Sequence, residues 1–527
     1  MFKENIVQKT IDSAINVIAP NWALKRKIAR EEMSAGRYDG GSTTSAIFQE
    51  VITRITDADS SVDWDRNRIV ARCRDNVRNI PIATGLIKRI CDHSIGDRGL
   101  ALHSQVNREY LNWTPEQATN WQQQAEQIWK YYSESKESDF KREHNIAEKT
   151  YLTLKSELEG GDCFSLFTNV KRTGSEFNLK IQSVEGEFCS NPNGKQNSDN
   201  LVEGFTKNNS GVTTAYNFSK YHPGDRINAK GNTWTDRNIF GTNGRRNILH
   251  HFDKIRFGQT RGVPVLGPVT GKLLQIGRLS NAELMAAVIN SYYTIIVQGK
   301  VSDTIPNKKS PSETNSNLSD DDKLTLGSGS IFRVKPGTEI KSFDPNRPNL
   351  DFIKFFEAIV AEIGAAVGVP KSLILMTFDK SYSASRGEVL LAWVYFLSRR
   401  THTAVNFCQP VYEALIDEAV SKGMLAAPGY FSDQRTRRAF LGSPYNQWTG
   451  PTRPAIDELK EAKAHELYVN LGTQSRTDIT SKTTGKDWIR VNDQLTREHE
   501  LRLAAGLETK ELQGITDQDI IEENENS

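Results

Sequence analysis

Two stretches whose apolar residues recur at helical spacing flank a long segment rich in Gly, Asn and Pro, and that order limits the fold more than any other property of the chain. In the first, 145–159, Ala147, Tyr151, Leu154 and Leu158 form one stripe, and Gly160-Gly161 supplies the stop, because glycine takes up the left-handed conformation that ends a helix without steric cost. Beyond the stop the period falls to two. Residues 163–170 and 177–184 read as strands, the second with Phe177, Leu179 and Ile181 on one face and Asn178, Lys180 and Gln182 on the other, and a hairpin through Thr173-Gly174 joins them. Residues 185–262 carry short strand candidates at 201–206, 213–218 and 247–252 among turn formers, which predicts a small β-rich subdomain. Helical spacing resumes from 264 to 297 through Leu266, Val269, Leu273, Ile276, Leu284, Val288, Tyr292 and Ile295, entered at Gly267-Pro268. The expectation is a mainly helical α+β chain with a β-rich insertion between two helical regions.

At 527 residues the chain exceeds what one core organises, so two or three packed regions are expected. Residues 65–95 read as two helices broken at Pro81, which lacks a backbone donor and disfavours helix in the residue before it. Thr114-Pro115 opens a helix near 115–132, where Trp121 and Trp129 read as core anchors rather than base-stacking platforms. Residues 300–330 are poor in apolar side chains and crowded with Ser, Asn, Asp and Lys, the composition of a mobile loop. A short strand at 330–334 precedes a helix with Ile353, Phe356, Val360, Ile363 and Val367 on one stripe, stopped by Gly368 and Pro370. A second helix, 386–421, holds Trp393, Phe396 and Phe407; charged helices with breaks follow, and the chain closes in the acidic stretch IIEENENS. Near the start, Ile6, Ile11, Ile15 and Ile18 mark an amphipathic stretch, and Lys25, Arg26, Lys27 and Arg30 read as its solvated basic face. No continuous apolar h-region of a secretory signal is found there, and no run reaches the ~20 apolar residues that cross a bilayer, so export and a membrane partner are not expected.

Charge and motifs argue against most chemistry. The formal net charge is only +2, which gives no global field for gripping nucleic acid. The five cysteines, Cys73, Cys91, Cys163, Cys189 and Cys408, are scattered, odd in number and without a CxxC pair, so neither a disulfide framework nor structural zinc is indicated. Gly267-Pro268-Val269-Thr270-Gly271-Lys272-Leu273 has three rather than four residues between its glycines and a leucine where a phosphate loop needs Ser or Thr. His250 and His251 are adjacent on a strand candidate and point to opposite faces, so they cannot chelate one ion together. His465-Glu466 lacks a second histidine, no G-x-S-x-G elbow is present, and the carboxylate pairs Glu157/Glu159 and Asp320/Asp321/Asp322 are what a chain with 25% charged residues contains by chance. No zinc-finger spacing, basic-zipper region or RNA-recognition signature is found either. Neither a catalytic residue nor a metal or cofactor is expected.

Several segments match one family in order along nearly the whole chain. Ala19-Pro20-Asn21-Trp22-Ala23, Ala29-Arg30 and Tyr38 come first, then Arg72-Cys73-Arg74-Asp75, Arg78-Asn79 and Ile95-Gly96. The most specific piece is Ile248-Leu249-His250 followed by Arg256-Phe257-Gly258-Gln259-Thr260-Arg261-Gly262-Val263-Pro264. Phe332-Arg333-Val334-Lys335-Pro336-Gly337, Ala365-Ala366-Val367-Gly368-Val369-Pro370 and Ser381-Tyr382-Ser383-Ala384-Ser385-Arg386 ahead of Trp393 follow. Asp457-Glu458-Leu459-Lys460-Glu461-Ala462 and Leu471-Gly472-Thr473 come last. Together they resemble the lambda-type tailed-bacteriophage portal protein family, with its His…R-x-G-Q-x-R-G-x-P segment and its D-P-x-K-E-x-x-A and G-x-x-T stretch. Glu458 stands where that family has proline, and 300–330 has no counterpart.

The resemblance implies a portal fold of wing, stem, clip and crown, and a ring of about twelve copies with head-to-tail contacts at one capsid vertex of the virion, assembled in the host cytoplasm. In that plan 1–144 is N-terminal wing, 145–184 the first stem helix with its strands, 185–262 the β-rich clip and 263–299 the second stem helix. Residues 300–440 are wing with the mobile loop 300–330 and a possible tunnel loop at 379–387, and 441–527 form the crown. Such a ring conducts double-stranded DNA during packaging and ejection. It docks the terminase large subunit, which hydrolyses ATP, and also the major capsid protein and a head-completion or adaptor protein. A duplex that must slide cannot be gripped at many phosphates, since each one neutralised adds counterion-release free energy. Lys380, Ser381, Ser383 and Arg386 are the DNA-facing candidates, although the segment reads equally as an ordinary helix connection. Arg256, Gln259 and Arg261 are candidates for the clip–stem junction or a subunit contact, because arginine offers planar, multi-donor geometry; a role inside one chain is equally open. The rival readings are a different virion structural protein, such as a head-completion or tail component, and a DNA-processing enzyme, which needs clustered metal ligands or an intact phosphate loop.

Overall fold

The computed structural model describes residues 55–507 apart from 229–230, 243, 293–295, 298–331, 334–351, 378–380, 446, 454–457 and 486–487, together with residues 15, 20–22 and 25. The expected mobile loop 300–330, most of the N-terminal amphipathic and basic stretch, Lys380, Asp457 and the acidic C-terminal stretch lie outside the described residues. The chain divides into two units, Met1–Asp57 and Ala58–Ser527. In the first, positions 15, 20–22 and 25 are helical; everything below concerns the second.

That unit is mainly helical with small sheets. Helices α1 (Arg66–Asn79) and α2 (Pro81–Ser94) meet at Ile80, whose extended backbone places Pro81 in the first turn of α2. Helix α3 (Pro115–Glu134) opens with a reciprocal capping box, in which the Thr114 hydroxyl accepts from the Gln117 N–H and the Gln117 side chain accepts from the Thr114 N–H. Trp121 and Trp129 are both buried, on Phe440 and on Trp448 respectively. Helix α4 (Ile146–Gly160) is capped in the same way by Asn145 and Glu148 and ends at Gly161, whose φ of 87° only glycine adopts without strain.

Strand β1 (Ala101–Leu102) pairs with β11 (Trp448–Thr449). The main sheet has the order β3-β2-β8, all antiparallel, from β2 (Asp162–Asn169), β3 (Leu179–Glu185) and β8 (Ile248–Phe252). A second sheet runs β4-β5-β6-β7, from β4 (Leu201–Val202), β5 (Phe205–Lys207), β6 (Thr213–Ser219) and β7 (Trp234–Asn238). Period two decides what lies on each side of β2. Phe164 and Leu166 join a cluster with Phe205, Tyr216, Phe218 and Ile248, whereas Cys163 and Ser165 face α4 and His251.

Helix α5 (Thr270–Tyr292) is followed by β9 (Ile296–Val297), which pairs in parallel with β10 (Phe332–Arg333), and then by α6 (Phe352–Val367) and α7 (Lys371–Leu375). Helix α8 (Tyr382–Thr403) continues without a break through a π-helical turn at Ala404–Cys408 into α9 (Gln409–Ser421). After α10 (Gln434–Leu441) come α11 (Glu458–Asn470), α12 (Arg476–Thr484) and α13 (Trp488–Ala504).

Two expectations about placement change. Helix α4 is a core element, not one wall of a helical pair with α5: Ile146, Lys149, Thr150, Thr153, Leu154, Glu157 and Leu158 are all buried, and it packs on α1, α2, α3, α8 and β2. The helical neighbours of α5 are α1 and α6, and Lys272 on α5 is ion-paired with Glu362 on α6. Nor do residues 185–262 stand apart as an insertion, because β8 completes the main sheet against β2 and Leu249 lies in the large core.

Candidate functional site

The central motif closes around one carboxylate. Asp162 follows Gly160-Gly161 at the first position of β2 and is fully buried. Its Oδ1 accepts from Arg66 Nη2 at 2.6 Å and Arg261 Nη2 at 3.1 Å; its Oδ2 accepts from Arg261 Nε at 2.6 Å and lies 3.3 Å from His250 Nε2 and from the Gly262 N–H. Arg261 uses every donor it has. Beyond the two-pronged contact to Asp162, Nη1 donates to the carbonyls of Cys189 at 2.9 Å and Glu203 at 3.1 Å, and Nη2 donates to Gly186 O at 2.6 Å. The guanidinium also sits over the rings of Phe164 and Phe205.

The glycines of the motif allow this approach. A Cβ on Gly262 would stand 1.9 Å from Gly161 O, and one on Gly186 would stand 1.9 Å from Asp162 Oδ1. Gln259 folds the turn ahead of the arginine: its Oε1 accepts from the Ile255 and Arg256 N–H groups, and its Nε2 donates to Arg261 O. Thr260 is fastened to Asp59 through both its N–H and its hydroxyl.

Electrostatics follow from burial. Desolvation alone would raise the Asp162 carboxyl, but the Arg261 and Arg66 guanidiniums, with hydrogen bonds from His250 and Arg261, hold it well below the usual carboxylate range. Burial and the like charge of Arg261 lower Arg66, while Arg261 itself is raised, since Asp162 outweighs its desolvation. Burial also lowers His250, against the pull of Asp162. Two buried guanidiniums therefore share one buried carboxylate, with Glu187 and Glu203 further off to offset the excess. A cluster so fully committed to its own chain fastens β2, the 186–203 segment and the entry to α5 together.

The sequence-selected residues separate into three situations. Gln259 and Arg261 are buried in this cluster, and Arg256 is exposed on its turn, with Nη1 3.4 Å from Ser61 Oγ. Ser381 is exposed ahead of α8 and makes no cap hydrogen bond; Lys380 and the side chain of Ser383 lie outside the described residues. Arg386 is half-buried and paired at 3.4 Å with Glu461, which Arg453 also reaches at 2.9 Å. The carboxylate that organises the motif, Asp162, and its second cation, Arg66, were not selected from the sequence. The available signal was an aspartate directly after a helix-ending glycine pair.

Other polar groupings are likewise internally committed. A cavity of about 880 Å³ between residues 240–247 and 405–437 contains Asp417, which accepts from Tyr430 at 2.9 Å and Arg437 at 3.0 Å and pairs with Arg245 at 3.4 Å. Glu185, Glu187 and His222 come close enough to share a cation. However, Arg74 pairs with both carboxylates, and His222 Nδ1 accepts from the Gly224 N–H, which leaves the ring proton on the Nε2 that a metal would need. His250 and His251 diverge as strand neighbours must, His250 stacking on Phe164 and His251 lying 3.2 Å from Ser165 Oγ.

Comparison with known proteins gives one family. The family described as phage portal protein, lambda family, matches residues 45–400. Portal protein B of Escherichia phage lambda is 25% identical over 500 residues, spanning 90% of this chain and 91% of that protein. The portal protein of Escherichia phage N15 is 24% identical over 497 residues, with 90% and 91% covered. Among solved structures, a chain in the virion of a native gene transfer agent particle aligns with a TM-score of 0.36 at 12% identity, over 78% of this chain and 92% of that one.

Proposed function

Because the chain belongs to the lambda family of phage portal proteins, we propose that it works as one subunit of a ring at a capsid vertex, the conduit through which double-stranded DNA enters and leaves the head. The observation that carries this reading is a family match over most of the chain, joined by relatives aligned along nine-tenths of it. The role is structural. ATP hydrolysis belongs to the terminase large subunit that docks on the ring, and the major capsid protein and a head-completion or adaptor protein are its other partners. About twelve copies close the ring, the number that family membership suggests.

The packing of α5 on α6 supports a revised assignment within that plan. The chain leaves α5 at Tyr292 and returns at Phe352, so these two helices bracket residues 293–351, and α5 alone is about 34 Å long. We assign α5 and α6 to the stem and 293–351 to the clip, and place α4 and 185–262 in the wing. Residues from 441 onward remain the crown. The segment leading into α8 remains the DNA-facing candidate. Within it Arg386 is committed to Glu461, and Lys380 is kept as the candidate for the duplex backbone.

Negative-stain microscopy of the purified full chain tests the proposal. Rings with a central hole are expected. A population that stays monomeric at every concentration and salt would refute it.

A further inference from the structure

Helix α8 is apolar around its whole circumference for two and a half turns. From Val389 to Leu397 it carries no charge, and it buries only one side, Ala392 and Phe396, within its own chain. On the other side Leu391 is 77% exposed and Val394 69%, with Leu390 at 40% and Leu397 at 41%. A surface helix ordinarily gives water a polar face, and one apolar all round is covered. The four side chains leave on the order of 400 Å² of apolar surface in contact with water, the size at which such patches mark interaction sites.

A second exposed apolar surface is carried by α5 and α6: Ile353 is 67% exposed and Phe355 58% on opposite edges of α6, and Leu284 is 63% and Met285 58% exposed on α5. Along α6 these bulky residues give way to exposed Ala358, Ala361 and Ala365, one helical turn apart. The two faces differ in shape: branched side chains stand proud on α8, and a shallow alanine-lined trough runs between larger residues on α6. Ridges of one helix pack into such grooves of another. The faces also belong to different flanks of one helix pair, since α5 packs on α1, α8 packs on α2, and α1 packs on α2.

We propose that the outer face of α8, centred on Leu391 and Val394, packs into the α5–α6 face, at Ile353, Phe355 and Leu284, of a second copy of this chain. This inference rests on the ring reading above and names the contact that builds it. Neither face complements itself, so the contact is head-to-tail, and repeating it leads to a closed ring rather than stopping at a dimer. In each contact one chain gives roughly 400 Å² and its neighbour roughly 500 Å² of apolar surface, about 1,000 Å² in total, which reaches the lower bound of a specific interface.

The test uses the full chain in two double variants, Leu391→Glu/Val394→Glu and Ile353→Glu/Phe355→Glu, with light scattering for mass and far-UV circular dichroism for fold. Each variant alone is expected to lose at least tenfold in ring fraction and to run as a folded monomer. Mixed one to one, they restore a single intact pair of faces and should give two-chain species. Leu391→Ser/Val394→Ser repeats the first arm without new charge. Rings from either variant at wild-type levels overturn the proposal, as does a monomeric mixture. Dimers of the α6-face variant alone also overturn it, because they would mean that α8 pairs with α8. If the wild-type chain forms rings while the variants also do, only this contact fails; if the wild type never forms rings, the ring reading falls with it.

Discussion

Replacing Asp162 with asparagine keeps the shape of the side chain and removes the one charge that Arg66 and Arg261 share. Arg261 would retain its carbonyl acceptors at Cys189, Glu203 and Gly186, and the asparagine oxygen could still accept one hydrogen bond. What is lost is the counter-charge of two guanidiniums with 3% and 1% side-chain exposure. Removing one partner of a buried ion pair costs about 3–5 kcal/mol, and two stranded cations place Asp162→Asn toward the upper end. At about 2–4 °C per kcal/mol for a domain-sized cooperative unit, the melting temperature should fall on the order of 10 °C. The assay is thermal unfolding of the full chain by circular dichroism at matched protein concentration, because assembly itself adds apparent stability.

Two controls separate the charge argument from general damage. Arg66→Met removes the cation whose Nε has no hydrogen-bond partner and whose charge burial disfavours, so it should change stability by no more than about 1 kcal/mol. The pH dependence has a definite sign. The folded pKa of Asp162 lies below its unfolded value, so its contribution is complete above about pH 4, the unfolded range, and is lost as pH falls toward the folded pKa. The gap between wild type and Asp162→Asn should accordingly be constant from neutral pH down to about 4 and narrow below it. A loss under 2 °C for Asp162→Asn, or an equal loss for Arg66→Met, refutes the account of a shared counter-charge.

Burial, then the neighbouring His250 and His402, bring His251 down to about 3; the unfolded chain takes up this proton first, so stability should fall as pH drops from about 6.5 toward 3. In His251→Gln the urea midpoint should lose less over that window than in wild type, and an identical pH profile would count against it. Gly262→Ala drives a Cβ into Gly161 O and should abolish soluble folded protein, whereas Gly271→Ala, inside α5 with nothing within 4 Å, should be neutral or stabilise by about 0.5–1 kcal/mol in thermal melts. All five thiols are free and buried, with burial pushing Cys189 and Cys408 up to about 12; mass spectrometry should find none alkylated by iodoacetamide in the native state and all five after denaturation.

What the sequence disclosed was local. Pro81, Thr114, Gly161 and Gly368 end or begin helices by constraints that act within one turn, and the apolar stripes between them set helix existence and phase. Pairings made at long range were hidden. Strand β7 reads as Trp234-Thr235-Asp236-Arg237-Asn238, almost wholly exposed and polar, and is a strand only because β6 offers it an edge. Helix α4 shows in sequence only one narrow apolar stripe, Ala147, Tyr151, Leu154 and Leu158. Its burial is completed by Lys149, Thr150, Thr153 and Glu157, whose partners Asp139, Cys408, Cys163 and Arg399 lie outside the helix, scattered along the chain. The cluster was hidden for the same reason, since Asp162 lies 96 residues from one of its cations and 99 from the other.

The segment that most strongly marks the family turns out to hold the chain to itself. In Arg256-Phe257-Gly258-Gln259-Thr260-Arg261-Gly262, glutamine closes the turn, threonine takes Asp59, arginine saturates its donors on Asp162 and three carbonyls, and glycine lets two backbones touch. The same economy extends outward: Arg74, Arg386, Arg399 and Arg437 all meet carboxylates of their own chain, and Arg400 donates to the carbonyls of Ser94, His93 and Pro451. A guanidinium held in this way has lost the freedom to follow a passing phosphate, and releasing it would reopen a buried or half-buried charge. For a conduit this is the useful arrangement. Arginine supplies rigidity through many directed bonds inside its own chain, and each guanidinium held in this way is one cation fewer to grip a phosphate.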